Sequence, residues 1–159
     1  MLFNLFRRKK KKENKSAERK AMKPLTYSPK IILAWGEAIT GNKEIRDWLT
    51  TNGYKELGLF SFALRNKDDA REWLMDNGYP HLMALINGAE GNLDAVKWLE
   101  MHKLSTLAKV ALVGDGNEEA YRWLISNGHK DMALIAKKIQ AVKDEIERDN
   151  NDIHKISAD

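Results

Sequence analysis

From Gly41 to Gln140 the apolar positions fall into a pattern that restarts every 25 residues. Trp48, Trp73, Trp98 and Trp123 mark the restarts, each followed by Leu (Leu49, Leu74, Leu99, Leu124) and preceded three positions earlier by Ile45, Ala70, Ala95 or Ala120. Offsets −3, 0 and +1 from the Trp form one stripe on a helix, because a turn takes 3.6 residues. A second stripe follows at offsets +9 and +12: Leu57 and Phe60, Leu82 and Leu85, Leu107 and Val110, Met132 and Ile135. Between the stripes stands Asn-Gly at 52–53, 77–78 and 127–128. Asn-Gly also signals a β-hairpin turn, but the flanks have the helical period, so each Gly is read as the left-handed residue that ends a helix. Asn42, Asn92 and Asn117 are placed to cap helix starts. An acid follows in each first turn (Glu44, Asp69, Asp94, Glu119), where the helix dipole favours it. Every unit is therefore a helix, a tight turn and a second helix.

Ser28-Pro29 is an N-cap and first-turn pair opening a further copy of the second helix, with Ile32 and Trp35 at its +9 and +12 offsets. At the other end the last helix continues through Ile139, Val142 and Ile146, which predicts a cover for the open end of the stack. The expected fold is all-α: an α/α solenoid of one leading helix plus four stacked helix hairpins, with an extended C-terminal helix. One such unit cannot bury its apolar faces alone, so stability should come from stacking neighbours. Trp35, Trp48, Trp73, Trp98 and Trp123 are read as structural core, with a cost of about 3–5 kcal/mol for truncation to Ala. The third unit breaks the rule, since Met101-His102-Lys103 stands where the others have an Asn-Gly stop. A left-handed Lys103 would cost about 1–2 kcal/mol. The turn is expected to differ locally there, the alternative being an edge altered for contact.

The stretch Met83–Leu99, with Gly91-Asn92-Leu93-Asp94, Val96 and Trp98-Leu99, resembles the two-helix portion of an ankyrin repeat, as does Gly116-Asn117-Glu118-Glu119 with Trp123-Leu124 and Asn127-Gly128. The resemblance covers about residues 30 to 140. The units have 25 residues rather than the family's roughly 33, and they lack the Thr-Pro-Leu-His opening and the β-hairpin finger. The resemblance implies a stacked helical array used for protein–protein contact.

Charge divides the chain. Residues 1–30 carry 11 Lys and Arg against 2 acids, and residues 31–159 carry 16 against 21. Three regions are expected: a basic, disordered arm over 1–27, the repeat array over 28–140, and the end of the capping helix with a flexible tail over 141–159. In the arm, Leu2, Phe3, Leu5 and Phe6 precede six consecutive cations, Arg7, Arg8, Lys9, Lys10, Lys11 and Lys12. A secretory signal has the opposite order, and residue 2 is not the Gly that myristoylation needs. Three readings stand: attachment to an anionic membrane surface, with each cation worth about 1 kcal/mol; a solvated tail; or contact with nucleic-acid phosphate. The apolar tip favours the first and makes nucleic acid the lesser candidate. The chain has no Cys, which excludes a disulfide framework and Cys-based zinc sites and fits a reducing compartment. No apolar run reaches the eighteen residues or so of a membrane span. A cytoplasmic protein, peripheral at the membrane, is the expectation.

Catalytic chemistry finds little footing. His81, His102, His129 and His154 share no face and form no ligand spacing, so they are read as surface or turn residues. No phosphate loop or nucleophile elbow occurs, and acid pairs such as Asp68-Asp69 sit at helix starts. No enzyme activity, cofactor or metal is expected. In a solenoid, binding positions should be those that vary between units. By that criterion Arg46, Leu59, Phe62, Arg71, Lys109, Leu112 and Tyr121 form the candidate partner surface. The expected function is a non-catalytic interaction scaffold for an unidentified protein partner, tethered by its arm. The alternative is a structural subunit of a larger complex, its arm on nucleic acid or an acidic partner. Self-association is a further expectation, because positions 132, 135, 139, 142 and 146 repeat by threes and fours as a coiled-coil seam does.

Overall fold

The computed structural model describes residues 20–156, with side chains through residue 152. Among the described residues there are nine helices and no strand: α1 Pro29–Ile39, α2 Lys43–Thr51, α3 Lys55–Leu64, α4 Asp68–Asp76, α5 Pro80–Ala89, α6 Leu93–Met101, α7 Ser105–Gly114, α8 Glu118–Ser126 and α9 Lys130–Ile156. The local signals act as read. Ser28, Asn42, Asn92 and Asn117 accept hydrogen bonds from first-turn amides. Gly53, Gly78 and Gly128 take φ of 95°, 91° and 80°.

Lys103 departs from expectation. It adopts φ 59°, so the third turn keeps the geometry of the others and a lysine occupies the left-handed position. The backbone route is the same, and the strain is retained.

Neighbouring hairpins stack as in a solenoid, and the stack curves until its last helix meets its first. The second helix of each unit packs on the next, α1 on α3, α3 on α5, α5 on α7 and α7 on α9, and α9 returns to α1. These five form an inner ring, joined at its closure by an ion pair between Lys138 Nζ and Glu37 Oε1 at 3.3 Å. Residues repeating at the +12 offset fill the ring: Trp35, Phe60, Leu85, Val110 and Ile135 are all buried. Trp35 and Phe60 meet edge to face at 5.0 Å. Where α5 and α7 cross, small residues permit close approach. A Cβ on Gly88 would lie 2.8 Å from Ala111 Cβ, and one on Gly114 would lie 2.7 Å from Ala89 Cβ. The first helices α2, α4, α6 and α8 form an outer layer, each packed on the inner helices before and after it.

The tryptophan assignment needs correction. Trp35 is buried, but Trp48 is 49% exposed, and Trp73, Trp98 and Trp123 are only partly buried. The fully buried position is the next one, Leu49, Leu74, Leu99 and Leu124. One residue turns the helix about 100°, so offset +1 faces the inner ring while the Trp lies at the margin of the stripe. There the indole stacks across the turn: Trp48 on Tyr54, Trp73 on Tyr79 and Trp123 on His129, with Trp98 on His102 in the unit that has Lys103 in place of Gly. Trp73, Trp98 and Trp123 pack against the core from its margin while bracing the hairpin, and the core reading fails for Trp48.

α9 has 27 residues where the other inner helices have ten or eleven. No break separates residues 140 and 141. The helix continues across the C-terminal ends of its neighbours, with Ile135, Ile139 and Val142 buried and Met132 and Ile146 packed against the core. The apolar seam expected for self-association is thus occupied within the chain. Among the described residues no helix is long and apolar enough to cross a membrane.

Candidate functional site

The candidate partner residues all have internal neighbours. The Arg46 guanidinium lies 4.3 Å from the Phe62 ring centroid, and Lys137 Nζ lies 4.6 Å from that of Tyr121. These are the same two offsets with donor and ring exchanged. In the third unit the same offsets carry Val96 and Leu112, both apolar. Arg71 donates to the Ala63 carbonyl at 2.9 Å, to Asn66 Oδ1 at 2.9 Å and to Glu90 Oε1 at 2.7 Å. Lys109 Nζ sits 5.4 Å from the Trp123 ring, while Leu59 and Leu112 are partly buried against the core. In the first, third and fourth units, variation at those two offsets therefore tracks internal pairing. Leu2, Phe3, Leu5, Phe6 and the cations Arg7 to Lys12 lie outside the described residues.

Two other places are left incomplete by the repeat, and neither was singled out from sequence. The first is the seam between α9 and α1. Four outer helices cover four of the ring's five junctions, and among the described residues none covers the fifth. Leu33 on α1 is 56% exposed there and Leu134 on α9 is 43% exposed. Each lies one turn before a member of the Glu37–Lys138 ion pair, so both belong to the same open groove.

The second is the mouth of the ring, where the N-terminal ends of the inner helices converge. Residues 20–27, assigned from sequence to the arm, cross part of it as a strap. Lys20 N donates to the Asp76 carbonyl at 3.3 Å and Lys23 N to the Gly78 carbonyl at 2.8 Å. A Cβ on Gly78 would lie 2.4 Å from the Ala21 carbonyl oxygen, so this glycine serves both the turn and the approach of the strap. Beneath the strap lie two buried polar side chains, Glu56 and His81. Glu56 Oε1 accepts from the Tyr27 hydroxyl at 2.8 Å. Burial first, and then the Glu56 carboxylate, push the Tyr27 and Tyr79 phenols above their ordinary range. His81 Nε2 is 2.6 Å from the Lys23 carbonyl, which assigns the proton to Nε2, while the buried Nδ1 has no hydrogen-bond partner among the described residues. Burial lowers the His81 pKa from its ordinary value, against smaller opposing effects of the backbone at Lys23 and Tyr79. The reading of His81 as a surface residue is thereby corrected. His102 is exposed on Trp98, and His129 stacks on Trp123. The side chain of His154 lies outside the described ones.

The strap leaves the rest of the mouth open as a cavity of about 730 Å³. Leu25 and Tyr27 of the strap form one wall, Ile32 and Trp35 of α1 the floor, Met132 of α9 one side, and residues 103–107 at the start of α7 the other. The Trp35 indole N–H is buried and without an acceptor among the described residues. No side chain caps the start of α7. Among the described residues no group of three or more His, Cys, Asp or Glu side chains could hold a metal ion.

At the opposite end α9 crosses the opening and leaves a smaller cavity of about 240 Å³ between Asn66, Glu90, Asp115 and Lys143. Lys143 of α9 donates to the Ala89 carbonyl at the end of α5 and lies 3.8 Å from Asp115 Oδ1. A cation there meets carbonyls that a helix end leaves unpaired. Set against protein-family models, curated proteins and solved structures, the chain matches none of them.

Proposed function

We propose that the chain is a non-catalytic interaction module that receives an amphipathic helix of a protein partner in the α9–α1 seam. The observation that carries this is the uncovered fifth junction, with Leu33 and Leu134 exposed on it. The four covered junctions indicate the occupant's character. Each takes a helix presenting a small or medium apolar residue and, four positions on, a Leu, as Ala70 with Leu74 and Ala120 with Leu124 do. An apolar face of that spacing is the usual ligand of a helix-binding groove. The ankyrin-like pattern supports the same class of function. The polybasic arm with its Leu-Phe tip then serves as the tether to an anionic membrane surface.

Affinity capture with the full chain and with Leu33→Lys/Leu134→Lys tests the seam, circular dichroism verifying that both are folded. A partner held by the parent and lost with the double variant supports the reading. An unchanged set of captured proteins overturns it. Capture only by a chain shortened to start at Met22 would make the arm itself the seam's occupant. Co-sedimentation with anionic vesicles at low salt tests the tether, and no difference between the full and shortened chains removes it. Equal binding to DNA and vesicles, falling steeply with salt, would favour a polyanion-binding subunit instead.

A further inference from the structure

We infer that the cavity at the ring mouth is a binding site for a small amphipathic anion, with an apolar body against Trp35 and a carboxylate-like end at Lys103. The site is separate from the α9–α1 seam and does not rest on the function proposed for it.

Three independent observations converge on this chemistry. The cavity, about 730 Å³, falls in the range that holds small ligands, and such sites combine an apolar lining with few polar groups. Here the apolar lining is Leu25, Ile32, Trp35, Leu104, Leu107 and Met132. On the α7 side two features favour negative charge, against the Glu100 carboxylate that accepts from Ser105 Oγ at 2.9 Å. Lys103 supplies a cation at the rim, and the start of α7, which no side chain caps, presents first-turn amides and the positive end of its dipole.

Lys103 is the second line of evidence in its own right. At the same turn the other three units place Gly53, Gly78 and Gly128, all with positive φ. The third unit holds φ 59° with a lysine, although glycine would relieve the backbone. Strain retained at one copy of a repeated turn, and at the copy that borders the cavity, marks a functional constraint. The cation is wanted there.

The third is the strap. It forms a wall of the cavity through Leu25, Thr26 and Tyr27 and is itself fixed to α3 and α5 by Tyr27–Glu56 and Lys23–His81. The open space is therefore bounded on the side where an apolar chain would otherwise meet solvent.

Lys103→Gly separates binding from folding, because it removes the charge while relieving the backbone. Titration calorimetry of the full chain with dodecanoate, below its micelle concentration, should show one saturable site. Dodecanol should bind at least tenfold more weakly and dodecyltrimethylammonium not at all. Lys103→Gly should raise the Tm and weaken dodecanoate at least tenfold. Thr106→Trp, which fills the cavity, should abolish binding, and Leu33→Lys on the seam should leave it unchanged. Parent-like affinity in Lys103→Gly, or equal binding of the cationic analogue, overturns the assignment. If Thr106→Trp fails to fold, the Lys103→Gly result decides.

Discussion

The two ends of the inner ring are made from the same five helices and finished in opposite ways. At the base a continuous helix crosses the opening: α9 runs past its neighbours, burying Ile139 and Val142 and setting Lys143 on the Ala89 carbonyl. At the mouth the cover is an extended strap that makes two backbone hydrogen bonds, rests on Glu56 and His81, and leaves a cavity beside it. A helix satisfies its own backbone groups and can seal an apolar end with side chains alone. An extended segment must borrow partners from what lies beneath it. That is why polar residues are buried under the strap, while Ile139 lies beside Gly114 at the base. Closure by a helix leaves a cavity of about 240 Å³ at the base, and closure by a strap leaves one of about 730 Å³ at the mouth.

The largest effect should follow from breaking the base. Ile139→Ala removes a fully buried side chain whose Cγ2 would lie 3.2 Å from a Cβ on Gly114. Chemical denaturation should show a loss of about 2–5 kcal/mol, the range for buried large-to-small changes. A loss below 1 kcal/mol or so would mean that α9 does not close the ring. The strap should yield less. Tyr27→Phe deletes the hydroxyl that Glu56 accepts from and should cost about 1.5–3 kcal/mol, as other hydrogen bonds to a charged group do. The loss should appear first as faster amide exchange at Lys23, with base amides unaffected. Uniform acceleration at both ends would contradict a strap that opens on its own.

Much of this was legible in the repeat because the signals are local. Asn caps, Gly turns and the two apolar stripes set nine helices and their pairing without reference to distant residues. Closure into a ring was not legible, since the curvature depends on how closely inner helices approach, as Gly88 and Ala111 allow. A trace was present: Trp35, Phe60, Leu85, Val110 and Ile135 share one offset, a ladder of five that fits a common centre. The tryptophan error has a physical cause as well. Strict repetition was equated with burial, yet a stacking pair across a turn, such as Trp73 on Tyr79, repeats as strictly as a core contact. Variation between units has an internal source as well. Arg46 and Tyr121 differ because Phe62 and Lys137 differ with them. At offset +8 the signal was overlooked: Ile31, Glu56, His81, Thr106 and Asp131 have nothing in common, because the strap crosses only Glu56 and His81.

The smallest effect is the most specific to the mouth. His81 is neutral under the strap, its Nε2–H directed to the Lys23 carbonyl and its Nδ1 buried. The groups facing it are the stacked Tyr79 ring and the Lys23 ammonium, which sits 5.3 Å from that ring's centroid. No carboxylate is hydrogen-bonded to it, so protonation at Nδ1 would place an unpaired charge in a buried site. Its pKa in the docked state is lowered, and the released imidazole returns to about 6.5. Docking is therefore fully favoured above that value and is lost as pH falls through the lowered one, with at most one proton taken up per chain. Amide exchange at Lys23, corrected for its intrinsic pH dependence, should lose protection between neutral and mildly acid pH, while Val142 at the base keeps its own. In His81→Gln, which carries an amide donor and no titrating group, the Lys23 profile should be flat. A parent-like slope in that variant would rule out the imidazole as the source of the acid sensitivity.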